Sequence, residues 1–308
     1  MVSAMPNSKP EAPGLGSRPT TALAARLDAF LMERTPASPV WHALGEGVGG
    51  RRWRLEQEHQ IWFLKTGDAE LLAAEADGLL GLAGAGALHV PHVEDHGAIE
   101  GEGFLLLEWL PLANAGSGSA ARLGEALARQ HLQHRAQFGW HRHNFIGATP
   151  QFNRESDDWV DFFRQQRLGF QLQLAAEDGH RGRLQELGAE LMAALPRFFA
   201  GYKPHPALLH GDLWGGNWGV LQDGGPVVFD PAVYCGDRES DLAMTELFGG
   251  FPQEFYAAYR LHAPLDPGYP VRRDLYQLYH VLNHLNLFGE GYLGQALSLM
   301  QRLLSQLR

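Results

Sequence analysis

The chain has 308 residues, enough for one large domain or two modest ones and for a core that needs no disulfide or metal staple. Apolar residues make up 45% and charged residues 19%, a globular composition, and the net charge of −10 excludes a general nucleic-acid binder. The longest apolar stretch, Leu79 to Val90, is too short and too interrupted by glycine to cross a bilayer, and the single cysteine, Cys235, excludes an internal disulfide and fits a reducing cytoplasm.

Residues 1–20 are rich in Pro, Ser and Gly and read as a flexible tail, with no basic and apolar regions of a secretory signal. Leu23, Leu27, Phe30 and Leu31 form a helical stripe over 21–34. Short strands separated by Gly-rich turns follow: Val40 to Leu44, Trp53 with Leu55, and Ile61 to Leu64. A turn at Gly67-Asp68 opens a helix to about Leu82, and two more strands are expected at His89–Val93 and Gly103–Trp109. Beyond Pro111 the pattern is helical, over 120–136, 157–174, 181–199, 240–248, 253–262, 272–288 and 292–307. Three short strands interrupt it, at Ala207–Leu209, Trp218–Val220 and Val227–Phe229, and the Gly-rich stretch Ala113–Ala120 reads as a linker. The expected architecture is α+β and bilobal: a β-rich lobe over 21–110 and a larger helical lobe over 111–308.

The chemistry concentrates in His210-Gly211-Asp212-Leu213-Trp214-Gly215-Gly216-Asn217, which follows one apolar strand and precedes another, and in Asp230 at the end of the next. Transfer of the γ-phosphoryl of ATP to a hydroxyl needs a carboxylate to accept the hydroxyl proton. It also needs an amide oxygen and a second carboxylate to hold Mg²⁺. The order Asp, Asn, Asp on strand-flanked loops supplies these parts, with Asp212 as base and Asn217 and Asp230 as metal ligands. Any one of these residues alone would read as a turn or cap residue.

Upstream, Lys65 ends the strand Ile61–Leu64, where a phosphate-contacting lysine belongs, and Glu75 on the next helix is its candidate partner. Of 25 basic residues only Lys9, Lys65 and Lys203 are lysine, so a lysine at this strand end is informative; its compact charge suits phosphate. The turn from Gly45 to Gly50 is the candidate phosphate-covering loop, with Gly47 and Gly49 letting backbone N–H groups approach an anion. Glu108 and Leu110 lie where the lobes would join and are placed, by position, at the adenine.

The runs His210–Asn217, Asp230–Tyr234, Gly236–Met244 and Phe248–Phe251 resemble the fructosamine/ketosamine 3-kinase family, as do Phe138–Trp140, Asn144–Gly147 and Gln277–His284. The resemblance covers about residues 22–305 and implies the aminoglycoside-phosphotransferase-like branch of the protein-kinase-like fold. It implies phosphorylation of the 3-hydroxyl of ketosamines, whose product releases the amine, and so a deglycation role with ATP and Mg²⁺ as cofactors. By residue it implies Asp212 as base, Asn217 and Asp230 on Mg²⁺, Lys65 with Glu75 on ATP, and Asp241 as an acid bracing the catalytic loop. Some relatives carry a redox cysteine in the Gly-rich loop, which this chain lacks, and Gly215 stands where many have Ser.

Trp214 has two readings, packing under the loop or lying against the sugar; Tyr234 and Arg238 are candidate substrate-side residues, with Arg238 alternatively tied to Asp241. His131, His134, His141 and His143 invite a zinc reading but lack a recognisable ligand pattern, and surface or hydrogen-bonded roles fit them better. Cys235 reads as a small buried side chain, with an oxidation-sensitive thiol as the alternative. Two other functions remain open at this point: a kinase of another small alcohol such as an aminoglycoside, choline or homoserine, and a nucleotide-binding pseudokinase. The expected partner is a small-molecule or protein-bound ketosamine, with no nucleic acid or membrane, and the expected location is the cytoplasm.

Overall fold

The computed structural model describes residues 19–114, 116 and 118–307, so most of the expected tail, with Lys9, lies outside the described residues. Helix α1 (Thr21–Met32) starts where the Thr20 hydroxyl accepts the Leu23 N–H, and its Leu23, Leu27 and Leu31 are wholly buried. Strands β1 (Val40–Gly47), β2 (Gly50–Gln57) and β3 (Gln60–Asp68) form an antiparallel meander, and helix α2 (Ala69–Ala85) follows. Strands β4 (Val93–Ile99) and β5 (Glu102–Glu108) complete a five-stranded sheet of order β1-β2-β3-β5-β4. Alternation sends Trp53, Leu55, Trp62, Leu64, Phe104 and Leu106 to the face that packs against α1. Each such side chain contributes about 1.5–3 kcal/mol on burial.

Where β2 meets β3, Gly50 pairs with Gly67. A Cβ on Gly50 would lie 1.9 Å from the Thr66 carbonyl oxygen, so the Gly-rich hairpin closes only with glycine there. The strand expected at His89–Val93 is displaced to Val93–Ile99. Pro91 lacks an N–H for the ladder, and the His89 carbonyl accepts instead from Val228 N–H.

In the rest of the chain, β6 (Leu112–Ala113) turns the start of the expected linker into a strand, followed by α3 (Ser119–His131). A hairpin of β7 (Asn144–Ile146) and β8 (Thr149–Gln151) leads to α4 (Trp159–Phe163) and α5 (Phe170–Glu177). These two are the expected helix 157–174, split by a π-helical turn at Arg164–Gly169. Helix α6 (Arg183–Ala194) passes into a 3₁₀ turn at Leu195–Phe199, where Pro196 ends the α-helical hydrogen bonding. Then come β9 (Ala207–Leu209), β10 (Trp218–Leu221), β11 (Pro226–Val228) and β12 (Tyr234–Gly236). Helices α7 (Glu239–Leu247), α8 (Gln253–His262), α9 (Tyr269–Phe288) and α10 (Leu293–Ser305) close the chain. The small sheets are β11-β10-β6, β12-β9 and β7-β8.

The chain divides into two units, one of residues up to Ala73 with Glu94–Trp109, the other of Ala74–Val93 with Leu110–Arg308. The second half of α2 thus groups with the helical unit rather than with a lobe running unbroken to residue 110. The cause is direct packing: Gly78 lies against Val233, Gly81 against Trp140, and Trp140 Nε1 donates to Asp77 at 2.7 Å. The core of the second unit gathers α4, α5, α6, α9 and α10 around Phe162, Phe163, Leu191, Leu282 and Leu303. No helix of the described residues is long and apolar enough to cross a membrane.

Candidate active site

The loop from His210 to Asn217 is held at its base by one buried carboxylate. Asp241, in the first turn of α7, accepts the His210 N–H at 2.8 Å through Oδ2 and the Gly211 N–H at 2.9 Å through Oδ1. His131, at the end of α3, lies 3.2 Å from Oδ2 through Nε2 and 2.9 Å from the Tyr259 hydroxyl through Nδ1. Burial alone would raise the Asp241 carboxyl, but His131, His210 and the Gly211 N–H together hold it below its ordinary value. Gly211 adopts φ +84°, and a Cβ there would fall 1.9 Å from the Ala232 carbonyl oxygen, so the turn that presents Asp212 requires glycine.

His210 fixes the other side of the loop. Its Nδ1 accepts the Asp212 N–H at 3.3 Å and its Nε2 donates to the Phe229 carbonyl at 3.0 Å, an assignment of the neutral tautomer made from these partners. Complete burial lowers its pKa, against the charge of Asp241 and the Phe229 bond, in keeping with a neutral ring.

Asp212 and Asn217 meet directly. Asn217 Nδ2 donates to Asp212 Oδ2 at 3.1 Å, to the Asp212 carbonyl at 2.8 Å and to the Asp230 carbonyl at 3.4 Å. With the nitrogen committed to these acceptors, Oδ1 is the atom of Asn217 that a cation would use. Burial pushes the Asp212 carboxyl up, to about 7, with the Asn217 bond opposing and the charges of Asp230 and Asp241 adding. A carboxylate poised there suits proton acceptance near neutrality. Asp230, exposed after β11, has φ +55°, a left-handed conformation that Asp tolerates better than most residues. Asp230 carboxylate and Asn217 Oδ1 are hard oxygen donors, and this donor set fits Mg²⁺.

Several residues to which the sequence assigned no role brace the Asp230 turn. Asn144 Nδ2 donates to the Val233 carbonyl at 2.7 Å and Gln151 Nε2 to the Ala232 carbonyl at 3.1 Å. Asn153 links Asn144 to the buried Arg167, whose Nη2 donates to Asn153 Oδ1 at 2.7 Å. The motif Asn144–Gly147 was the available signal for this brace, and its partners lie too far along the chain to be guessed.

Two candidate substrate residues are corrected. Tyr234 is 2% exposed, stacked on Phe162 with the Arg167 guanidinium 4.0 Å from its ring centre, so it is a core residue. Arg238 donates to the Ala263 and Pro264 carbonyls just past the end of α8 and to the Tyr259 hydroxyl at 3.4 Å, so its guanidinium braces the end of α8 and reaches Asp241 only through Tyr259 and His131. Trp214, 40% exposed, covers Gly216 and meets Phe248 edge-on at 6.4 Å, so it lies on the loop rather than under it. The histidines have separate roles. His134 stacks on His205, His141 pairs with Asp77, and His143 accepts the Asn153 N–H. No metal-binding cluster of His, Cys, Asp and Glu occurs among the described residues. Cys235 is buried, and burial pushes its thiol up to about 11.

In the first unit, Lys65 lies half-buried on β3 opposite Arg52 and Leu105. Gly47 ends β1, Gly49 (φ +82°) makes the turn, and Glu108 ends β5 opposite Trp62. Glu75, on α2, and Leu110, whose carbonyl accepts the Leu112 N–H, group with the second unit.

The fructosamine kinase family model matches residues 37–306. A Synechocystis protein named a probable ketoamine kinase is 45% identical over 80% of this chain and 83% of its own length. The chloroplastic protein-ribulosamine 3-kinase of Arabidopsis thaliana is 36% identical over 85% of this chain and 82% of its own. A solved Thermobifida fusca structure bearing a fructosamine-3-kinase name superposes with a TM-score of 0.81 at 32% identity, covering 91% of this chain and 98% of that one. An aminoglycoside phosphotransferase, APH(4)-Ia, shares the fold at a TM-score of 0.60 and 16% identity, covering 91% of this chain and 98% of its own. The chain belongs to the fructosamine kinase family.

Proposed function

We propose that this chain transfers the γ-phosphoryl group of ATP to the 3-hydroxyl of a ketosamine, a sugar joined to an amine, and thereby starts removal of the sugar. The observation that carries the reading is the Asp212–Asn217–Asp230 loop pair, clamped by Asp241 and His210, within a chain of the fructosamine kinase family. Asp212 accepts the proton of the attacking hydroxyl; its carboxyl is raised toward neutrality and one oxygen is held by Asn217, which orients the other. Asn217 and Asp230 would hold Mg²⁺, which when bound neutralises charge on the phosphates. Asp241 acts through the backbone, fixing the His210 and Gly211 N–H groups so that Asp212 cannot swing away. Lys65 and Glu75 take the ATP-side roles that the family resemblance implies, Gly47 and Gly49 would cover the phosphates from their Gly-rich turn, and Glu108 and Leu110 would meet the adenine by their position in the chain. Trp214, exposed two residues beyond the base, offers an aromatic face to a sugar. The single, buried cysteine supports work in a reducing compartment such as the cytoplasm.

The test is steady-state phosphorylation by the purified chain of matched ribulosamine, erythrulosamine and fructosamine substrates with MgATP, followed by ADP release and phosphorus NMR. Turnover of at least one ketosamine, with phosphate on the 3-hydroxyl, is expected. Turnover of only a free amino alcohol, or of none of these, sinks the reading.

A further inference from the structure

We propose that Arg52 is a second cationic contact, beside Lys65, for the phosphate chain of a nucleoside triphosphate. The inference rests on the nucleotide reading above, but its observations are confined to the first unit. Arg52 on β2 and Lys65 on β3 are direct cross-strand partners, so both project from one face of the sheet. The other face of these strands, through Trp53, Leu55, Trp62 and Leu64, is filled by α1. Further along this face Arg54, opposite Phe63, is engaged elsewhere, pairing with Glu56 at 2.9 Å and lying over the Trp109 ring, while Leu105 and Leu107 on β5 are buried.

Arg52 is moreover turned to the Gly-rich hairpin. Its Nη2 donates to the Glu46 carbonyl at 2.6 Å, and a Cβ on Gly47 would come within 3.0 Å of its guanidinium carbon and Nε. Glycine at 47 is what lets the planar group lie flat against the strand. Its Nε is buried and finds no hydrogen-bond partner among the described residues, whereas buried polar nitrogens are ordinarily satisfied. The nearby Glu46 carboxylate reaches Arg51 instead, at 3.7 Å. A guanidinium anchored to a loop carbonyl with one N–H unsatisfied, next to a glycine turn and opposite a lysine, is arranged for a phosphate oxygen.

Calorimetric titration of the full chain with ATP, ADP and adenosine separates phosphate contact from loop shaping. For Arg52→Ala, ATP affinity should fall about 10- to 100-fold, the weight of a charge-assisted hydrogen bond, while adenosine affinity stays within about twofold. Arg52→Lys should recover part of the ATP affinity, which also shows that the position tolerates change. ATP affinity unchanged in Arg52→Ala overturns the inference, as does an equal loss for adenosine and ATP, and either result leaves the kinase reading standing. A wild-type chain that binds neither ATP nor ADP overturns both.

Discussion

Replacing Asp241 by asparagine tests whether one carboxylate holds the catalytic loop. The side chain is 1% exposed and spends both oxygens on backbone donors, the His210 N–H at 2.8 Å and the Gly211 N–H at 2.9 Å, with His131 at 3.2 Å. In the Asp241→Asn variant one oxygen becomes an NH₂ group, so a donor faces a donor and at least one buried N–H loses its acceptor. Removing one partner of a buried, hydrogen-bonded charge costs about 3–5 kcal/mol, of which the orphaned N–H alone is about 1–3 kcal/mol. Urea unfolding at pH 7.5 should therefore show a lower midpoint, and phosphoryl transfer should fall by about two orders of magnitude with ATP affinity nearly intact. The pH dependence gives a second readout. Despite burial the folded carboxyl lies below its ordinary value, so its contribution is complete above the carboxylate range of the unfolded chain. It is lost as pH falls through the folded value. The stability gap between wild type and Asp241→Asn should therefore shrink in acid. A variant within about 1 kcal/mol of wild type, or a gap that does not change with pH, would refute the clamp.

Asp212→Asn should abolish phosphorylation at every pH while leaving ATP binding nearly intact, and in the nucleotide-free protein it should also be the more stable chain above neutrality. Burial raises the folded carboxyl to about 7, so the folded state keeps a proton that the unfolded chain has released above about pH 4. Wild-type stability then falls as pH rises through that window, by up to about 4 kcal/mol, and urea midpoints for the two chains should converge near pH 4; parallel curves would contradict the raised carboxyl. Cys235, with its buried thiol pushed up to about 11, should react with iodoacetamide at least about 100-fold more slowly in the native chain than in urea. Labelling measured by mass spectrometry that proceeds equally fast in both would contradict its burial.

The geometry of the candidate loop was legible in the sequence because its residues sit on short loops between apolar strands, where spacing along the chain nearly fixes spacing in the fold. Asp212 and Asn217, five residues apart, do meet, and Asp230 follows β11 as its apolar run requires. Likewise the stripe of Leu23, Leu27 and Leu31 can be read without knowing its partner, because a helix buries one face whatever covers it. Supporting polar residues carry no such local signal. His131 gains its meaning from Asp241, 110 residues away, Asn144 from Val233, 89 away, and Gln151 from Tyr279, 128 away. A histidine at the end of an amphipathic helix reads the same from sequence whether it faces water or a buried carboxylate.

The errors at Tyr234 and Arg238 have the same origin in reverse. Both lie close in sequence to Asp230 and Asp241, and proximity along the chain suggested proximity to substrate. β12 instead turns Tyr234 inward onto Phe162 and Arg167, while Arg238, at the start of α7, reaches the chain just past the end of α8. A signature run in this family therefore mixes two kinds of residue. Asp212, Asn217 and Asp230 are the residues proposed to meet substrate and metal. Asp241, His210, Gln151 and Asn144 have their polar atoms taken up by the backbone of those loops and by neighbouring side chains such as His131, Asn153 and Tyr279. The distinction is one of hydrogen-bond capacity: a polar group whose donors and acceptors are filled internally can position chemistry but cannot join it. By that criterion Arg52, whose buried Nε finds no partner among the described residues, stands apart from the second group although no motif marks it.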